Sequence, residues 1–561
     1  MKAYLMYRNR DFDPTQLLAR RERELRYLRG NEQGLELGQA LPWNEAALRQ
    51  DLGLDVVFNV MASGDRFLHE VAQVGVFSIL TDLDAIRYRQ DVYADCAKNV
   101  QIVRNIYQIA IDAIEGERKN YWGFTRYPSG ILHRAVDVLQ MFVAQLKLLR
   151  RIADQHAEKF RSEGFLNLLA MLRIELSDAY FREIESHLNS LKFRSGTLIS
   201  AHLGKGNKGK DYVLRKPHRD QRGWLTRLLS EKPSSYSFQL HPRDEAGAQA
   251  LAKLSDQGVN LVANALAQST DHILSFFRML RTELGFYIGC LNLHAELARR
   301  GEPICVPVPT VAGERKLAFT NLHDVSLALS MSKPVVGNGL DANGKEVIVI
   351  TGANTGGKST FLRSLGLAHL MMQAGMFTAA QAFSAEVCEG IFTHYKREED
   401  ATMESGKWDE ELSRMSAIAD NLKRNALVLF NESFASTNER EGSEITGQIV
   451  NALLDGGVKI IFVTHLHRFA SELIARKMRS AAFLRAERNP DGTRPFKLIE
   501  APPLETSYGP DLYEAIFASA MSPRRMDVDG DRSNAGGRGA AQVKLITAKL
   551  GKRFDPTATQ T

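Results

Sequence analysis

The first half of the chain carries apolar residues at helical spacing. One stripe recurs every three or four positions and falls on a single helix face: Leu132, Ala135, Leu139, Phe142, Leu146 and Leu149. A second comprises Phe165, Leu168, Leu169, Leu172, Leu176 and Tyr180. A third spans 261–284 and contains Val262, Leu266, Ile273, Phe276, Phe277 and Leu280. Helices that pack against one another explain these stripes, so the chain is predicted to be mostly helical up to about residue 310.

The pattern changes after a proline-rich connector at 303–309. Short apolar runs rich in β-branched residues, at 346–351, 426–430 and 459–464, then alternate with helical stretches. This alternation predicts a mainly parallel sheet with helices on both faces. The predicted fold class is therefore α + α/β, an elongated helical core and lever followed by an α/β unit.

Four segments follow from this division. An N-terminal segment covers 1–50, the helical domain 51–309, the α/β domain 310–520, and a basic tail 521–561. The tail is rich in glycine, lysine and arginine, which predicts disorder up to residue 539 at least, with a short helix within 541–550.

Composition is that of an ordinary soluble protein, with 561 residues, 44% hydrophobic and 25% charged. The sequence contains no run of eighteen or more apolar residues, so no membrane-spanning helix is predicted. The four cysteines, Cys96, Cys290, Cys305 and Cys388, lack disulfide or metal spacing, which favours a reducing, cytoplasmic setting. The net charge is +6, of which the tail carries +4. Contacts of the folded part with nucleic acid must therefore come from local basic patches.

One such patch lies at 201–224, where cations alternate with glycines. Its candidate phosphate-binding residues are Lys205, Lys208, Lys210, Arg215 and Lys216. Glycines and cations together predict a flexible loop that contacts nucleic-acid phosphates. A solvated surface loop explains the same composition.

A phosphate-binding loop is predicted between the first of the apolar strands and the helix after it. Its residues read G-x-x-x-x-G-K-S: Gly352, Ala353, Asn354, Thr355, Gly356, Gly357, Lys358 and Ser359, followed by Thr360. Glycines let successive N–H groups surround phosphate oxygens, and the helix N-terminus adds partial positive charge. Lys358 can reach the β- and γ-phosphates of ATP, and the Ser359 hydroxyl can bind Mg²⁺. The strand before the loop and the helix after it argue against a chance match.

The next two strands end in residues suited to hydrolysis. Asn431 and Glu432 follow the strand at 426–430, where a P-loop ATPase needs an acid near Mg²⁺ and a base for the attacking water. Asn431 is an amide in place of the usual aspartate, so it offers an oxygen without charge. His465 follows the strand at 459–464 and can sense the γ-phosphate or orient water. The alternative for each is an ordinary strand end.

These motifs together resemble the MutS mismatch-repair ATPases. The resemblance rests on TGANTGGKSTFLRSLGLAHLMMQAG, VLFNESFASTNEREG and IFVTHLH, and extends to 52–58, Met61 and 191–196 in the helical half. It covers about residues 50 to 515 and implies an ABC-type P-loop ATPase domain. It also implies that Glu432 is the catalytic base, that His465 is the switch histidine and that Asn338 lies beside the adenine. The family often has an aromatic residue near Val335, which this chain lacks.

The resemblance also implies a homodimer in which each subunit donates a signature to the partner's ATP. Counting back from Glu432 places this signature near Ser405 and Gly406, with Glu411 on the following helix. Typical mismatch sensors carry an N-terminal aromatic-x-Glu wedge, and no such wedge occurs in the first fifty residues. The expected function is therefore ATP-dependent clamping of mismatched, branched or distorted DNA through its backbone, with other repair proteins as partners.

Two other functions are compatible with these motifs. A nucleotide-gated protein scaffold with slow or no turnover is suggested by Asn431. A soluble subunit of an ABC transporter is disfavoured by the long helical half and by the MutS-like phosphate loop.

Overall fold

Long helices and one two-stranded hairpin come first in the chain, and two larger sheets follow them. The computed structural model describes residues 1–12, 42–119, 127–193, 196–215, 237–241, 243–397 and 406–503. The tail at 521–561, Lys216 and Ser405 lie outside these residues. All described residues belong to one unit, Met1–Ser507.

Nine helices precede the sheets in the described part of the chain. They are α1 (Glu45–Asp51), α2 (Leu54–Ala62), α3 (Arg66–Phe77), α4 (Leu83–Lys98), α5 (Val100–Lys119), α6 (Pro128–His156), α7 (Glu163–Glu175), α8 (Asp178–Ser190) and α9 (Glu245–Arg299). Pro128 at the start of α6 has its φ preset for a helix. All six residues of the first predicted stripe are buried in α6, which packs along α9 and α5.

The third predicted stripe lies within α9, a helix of 55 residues and about 80 Å. Its second half is buried, whereas Leu251, Leu254 and Leu261 in its first half are exposed. The third predicted stripe is therefore part of one long helix, which is exposed over much of its first half.

The second predicted stripe is not one helix. α7 ends at Glu175, and α8 begins at Asp178, so Tyr180 lies on the second of the two helices. The break follows from Ser177, whose hydroxyl oxygen caps α8 by accepting a hydrogen bond from the N–H of Tyr180 at 3.3 Å.

The flexible loop predicted from residue 201 is also wrong for its described part. Strands β1 (Ile199–Leu203) and β2 (Gly209–Leu214) form an antiparallel hairpin that packs on α9. Gly206, with φ 68°, allows the turn between them. Gly258 of α9 provides room for Ile199, because a Cβ at Gly258 would come within 2.6 Å of that side chain.

The N-terminal residues are tied into the helical part by two buried polar side chains. The carboxylate of Glu283 on α9 accepts hydrogen bonds from the N–H groups of Leu5, Met6 and Phe12 at 2.6–2.9 Å. Burial raises the pKa of Glu283 to about 8. Arg89 on α4, also fully buried, donates to the carbonyl oxygen of Met6.

The second part of the chain holds ten strands and five helices among its described residues. The strands are β3 (Val308–Thr310), β4 (Leu317–Leu322), β5 (Asn338–Asp341), β6 (Val347–Gly352), β7 (Ala382–Glu386), β8 (Ile391–Tyr395), β9 (Leu427–Asn431), β10 (Lys459–Val463), β11 (Ala481–Ala486) and β12 (Leu498–Glu500). The helices are α10 (Val325–Ser330), α11 (Lys358–Gln373), α12 (Lys407–Asn421), α13 (Glu439–Asp455) and α14 (His467–Ala475).

Six strands form a sheet in the order β12-β11-β6-β10-β9-β8, parallel except at β12. Alternation along the strands separates its two faces. Ile348 and Ile350 of β6 face a core that includes α11 and continues into the helical half. Val347 and Val349 face a second core formed with α12, α13 and α14. The sheet is thus mainly parallel with helices on both faces, as predicted. A smaller, four-stranded sheet has the order β3-β7-β4-β5.

Candidate nucleotide site

The loop from Gly352 to Gly357 turns sharply between β6 and α11. Gly352 and Gly357 have φ of 106° and 87°, a region that favours glycine. A Cβ at Gly352 would also lie 2.9 Å from the backbone nitrogen of Ala486. The glycines at these two positions therefore let the loop run close to β11. The first N–H groups of α11, which have no partner within the helix, follow the loop directly.

Lys358 folds back over this loop. Its ammonium donates hydrogen bonds to the carbonyl oxygens of Gly352 and Ala353 at 3.0 and 2.9 Å. The side chain is buried, and burial lowers the pKa of Lys358 to about 8, while nearby Glu432 opposes this shift.

Ser359 and Asn431 meet although 72 residues separate them. The Ser359 hydroxyl donates a hydrogen bond to Oδ1 of Asn431 at 2.9 Å. They meet because β6 and β9 both pair in parallel with β10, so that their carboxyl ends share one edge of the sheet. Two oxygen donors are thereby placed together, and oxygen is the ligand type that Mg²⁺ prefers.

Glu432 and His465 form a second pair at the same edge. Oε1 of Glu432 lies 3.2 Å from Nε2 of His465, and both side chains are partly exposed. This hydrogen bond is the main reason that the pKa of Glu432 is lowered, and it outweighs burial. Glu432 has φ 55°, and its N–H donates to the carbonyl oxygen of Val463 at 2.8 Å. The strand β10 thus orients both members of the pair.

A cavity of about 700 Å³ connects these groups. The predicted residues that line it are Asn338, Asn354, Thr355, Gly356, Gly357, Lys358, Ser359, Thr360, Glu432 and His465. Its lining also includes the apolar side chains of Leu327, Met331, Val335, Val336 and Phe496. A lining that combines charged groups with apolar side chains suits a nucleotide, which has anionic phosphates and an apolar base.

Asn338 supports the apolar wall through hydrogen bonds to its backbone. Its amide donates to the carbonyl oxygen of Phe496 at 3.2 Å, and its Oδ1 accepts from the N–H of Leu498 at 2.9 Å. Phe496 is 48% exposed and is an aromatic residue that the sequence reasoning did not identify. No local motif marks it, because it lies 158 residues after Asn338 in sequence.

The other predicted site residues lie elsewhere. Gly406 precedes α12 as its N-cap and does not line this cavity. Lys205, Lys208, Lys210 and Arg215 lie exposed on the β1–β2 hairpin and the residue after it. Arg215 donates from Nε to the Ser200 hydroxyl at 2.8 Å.

Searches of the described residues add two further findings. They contain no cluster of three His, Cys, Asp or Glu side chains arranged to hold a metal. None of their helices combines the length and apolar character needed to cross a bilayer.

Comparison with known proteins agrees with these motifs. A family model described as the MutS2 N-terminal domain matches residues 81–300, and one described as MutS domain V matches residues 348–520. MutS protein homolog 4 of Mus musculus is 26% identical over 247 residues, 42% of this chain and 24% of its own length. The DNA mismatch repair protein MutS of Porphyromonas gingivalis is 30% identical over 210 residues, 36% of this chain and 23% of its own.

The chain thus spans about a quarter of the length of the curated relatives that it matches. The two family models nevertheless match most of the residues between 81 and 520, in both the helical part and the sheet-containing part. The chain belongs to the MutS family.

Proposed function

We propose that this protein is a MutS-type ATPase that couples ATP binding and hydrolysis to clamping of mismatched, branched or distorted DNA in repair or recombination. The observation that carries the proposal is the convergence of Lys358, Ser359, Glu432 and His465 on one cavity, with Asn431 bonded to Ser359 beside it. Lys358 and Ser359 begin α11, and the other three lie at or just after strand ends. The ATPase domain is proposed to begin after the connector at 303–309 and to extend to about residue 520.

ATP is proposed to bind in this cavity in one orientation. Its phosphates would lie on the N–H groups of Gly356, Gly357 and Lys358, where the helix N-terminus favours anions. The Lys358 ammonium already faces this loop, 2.9 Å from the Ala353 carbonyl oxygen. The base would then lie against Val335, Val336 and Phe496, which supplies the aromatic surface that the sequence lacks near Val335.

The oxygen donors at the sheet edge fit Mg²⁺. Ser359 Oγ and Asn431 Oδ1 lie 2.9 Å apart, with the Glu432 carboxylate on the following residue. A bound Mg²⁺ would neutralise charge on the phosphates. One or two protein oxygens suffice, since this ion usually keeps several waters and phosphate ligands.

Hydrolysis requires a water held in line with the γ-phosphate. Glu432 accepts a proton from that water as its oxygen forms the bond to phosphorus and the bond to ADP breaks. Because its pKa is lowered, the Glu432 carboxylate is ionised at neutral pH and ready to accept this proton. His465 holds the carboxylate from the other side at 3.2 Å.

DNA is proposed to contact the elongated helical part. The β1–β2 hairpin and the residue after it carry four exposed cations, and its packing on α9 supports a fixed rather than a floppy contact with phosphates. A homodimer is proposed in which the region near Ser405 and Gly406 completes the partner's ATP site. Other repair proteins are proposed as further partners, and the setting as cytoplasmic.

The test is a DNA-binding competition with and without ATP, at stated salt. Homoduplex, mismatched duplex and four-way junction compete for the full-length chain. Preference for the junction or the mismatch that changes with ATP is expected. Absence of DNA binding in every nucleotide state, together with no effect of DNA on hydrolysis, would remove DNA from the proposal.

A nucleotide-gated scaffold is the second candidate, favoured by one observation. Asn431 engages Ser359 without the negative charge of an aspartate. Turnover of wild type, Asn431→Asp and Glu432→Ala separates the two functions. A wild-type rate equal to that of Glu432→Ala would favour the scaffold, and a faster wild type favours the ATPase.

A further inference from the structure

Glu411 contacts the segment that follows Glu432. It is on α12, is 2% exposed, and uses both of its carboxylate oxygens. Its Oε2 accepts a hydrogen bond from the N–H of Phe434 at 2.7 Å, and its Oε1 accepts one from the Ser436 hydroxyl at 2.8 Å. One buried side chain therefore holds the chain at two points shortly after Glu432.

The backbone around Glu432 has an unusual conformation. Glu432 and Phe434 have φ of 55° and 62°, a left-handed region that residues other than glycine seldom adopt. Such a conformation persists only where the surroundings over-determine it. The bond from Phe434 N–H to a buried carboxylate is charge-assisted and therefore strong enough to contribute to this constraint.

His394 of β8 braces the same segment from another side. Its ring stacks on that of Phe434 at 5.0 Å between centroids. Its Nε2 lies 3.0 Å from the carbonyl oxygen of Glu411, which can only accept, so Nε2 carries the proton. Its Nδ1 lies 2.8 Å from the Ser433 hydroxyl, which itself donates to the backbone carbonyl oxygen of His394. Burial lowers the pKa of His394 to about 3, which keeps the ring neutral at physiological pH.

The helix that carries Glu411 begins at the predicted signature. Gly406 is the N-cap of α12, and Glu411 lies in the second turn. Any shift at the start of α12 would therefore move the carboxylate that holds Phe434 and Ser436.

We propose that Glu411 is the positioning residue for Glu432. Its two hydrogen bonds fix the segment from Ser433 to Ser436 and so set the direction in which Glu432 faces the cavity and His465. This role rests on the proposed hydrolysis of ATP and adds the group that orients the base. Because misplacing a reacting group by about 1 Å costs about 100-fold in rate, the loss is expected in kcat. ATP affinity is expected to persist, since Lys358 and Ser359 lie on α11.

The experiment compares wild type with Glu411→Ala and Glu411→Gln in the full-length chain. Alanine removes both bonds, so kcat should fall about 100-fold with little change in the Kd for ATP. Glutamine can keep both, because its amide oxygen accepts from Phe434 N–H and its NH₂ group donates to the Ser436 hydroxyl oxygen. It should therefore restore most of the rate. Asp409→Ala, at an exposed acid on the same helix, is the control for general effects on α12.

The split between kcat and the Kd for ATP distinguishes positioning from a merely structural role. A structural defect would weaken ATP binding together with turnover, whereas displacement of Glu432 lowers kcat alone. Ser436→Ala removes one bond only and should show a smaller fall in kcat. It replaces Glu411→Ala in the test if that variant does not fold.

Three results would overturn the proposal. They are full kcat in a folded Glu411→Ala or, in its place, Ser436→Ala; an equal loss in Glu411→Gln and Glu411→Ala; and a parallel loss of kcat and ATP affinity. Glu432→Gln is measured alongside. If wild type turns over no faster than Glu432→Gln, ATP hydrolysis itself is refuted, whereas turnover that is insensitive to Glu411 refutes only the positioning role.

Discussion

Lys358 should take up a proton when ATP binds at alkaline pH. Burial lowers the pKa of its ammonium from 10.5 to about 8, so about one quarter of the free protein carries this charge at pH 8.5. Triphosphate beside the ammonium favours the charged form and raises the pKa again. Binding at pH 8.5 should therefore take up about three quarters of a proton, and binding at pH 7 only about a tenth.

The same linkage predicts how ATP affinity depends on pH. The free protein loses the Lys358 charge as pH rises through 8, and binding must restore it, so affinity falls with rising pH. Between pH 7 and 9 the loss is about tenfold, or about 1.4 kcal/mol. Below pH 7 the affinity should be nearly independent of this group.

Titration calorimetry in two buffers of different ionisation enthalpy measures the uptake directly. Lys358→Arg is the matched control, because guanidinium stays charged throughout this range and should show neither uptake nor the tenfold fall. Wild-type heats at pH 8.5 that do not depend on the buffer, together with a flat affinity from pH 7 to 9, would refute the reasoning about Lys358.

Three further predictions test other parts of the molecule. Glu432→Gln should lower kcat by about 10²- to 10⁴-fold in steady-state assays while ATP affinity changes little, and near-wild-type turnover would contradict its role as base. Glu283→Gln offers one acceptor oxygen to three buried N–H groups, so denaturant unfolding should show a loss of about 1–3 kcal/mol, and amide exchange at residues 5–12 should accelerate. Glu175→Gln, at a half-exposed ion pair with the Met1 amino group, should cost under about 1 kcal/mol, and an equal effect of the two variants would count against the anchoring role. Changing three hairpin lysines to alanine should reduce the salt dependence of DNA binding by up to about 2.7 in log–log slope, and an unchanged slope would exclude the hairpin from the DNA contact; the residues are Lys205, Lys208 and Lys210.

The strands and the loop of the candidate site could be predicted because their signals are local. β6, β9 and β10 begin and end within one residue of the predicted runs. Glu432 follows β9 directly, and His465 follows β10 after one residue. Parallel strands bring their carboxyl ends together. A short apolar run bounded by polar residues is enough to place such positions.

Phe496 and Glu411 could not be assigned roles in the same way. The carbonyl oxygen of Phe496, which lines the cavity, accepts a hydrogen bond from the distant Asn338. The carboxylate of Glu411 accepts one from the N–H of Phe434, which lies outside the helix of Glu411. Nothing in the neighbouring residues records either contact. The hairpin at 199–214 was misjudged for a related reason, since glycines that allow its turn also occur in flexible loops.

Because α11 is buried, a movement of the phosphate loop would be transmitted through this helix to the helical half. Thirteen of its sixteen residues are buried, including the polar His369 and Gln373. At its far end, the carbonyl oxygen of Ala374 accepts a hydrogen bond from Arg89, which also holds Met6. The helix is about 24 Å long, so a tilt of about 5° at the loop would displace this end by about 2 Å. The sixteen residues of α11 thus connect the ATP cavity to the N-terminal residues that Arg89 holds. A nucleotide that tilts α11 would displace the Ala374 carbonyl oxygen from Arg89.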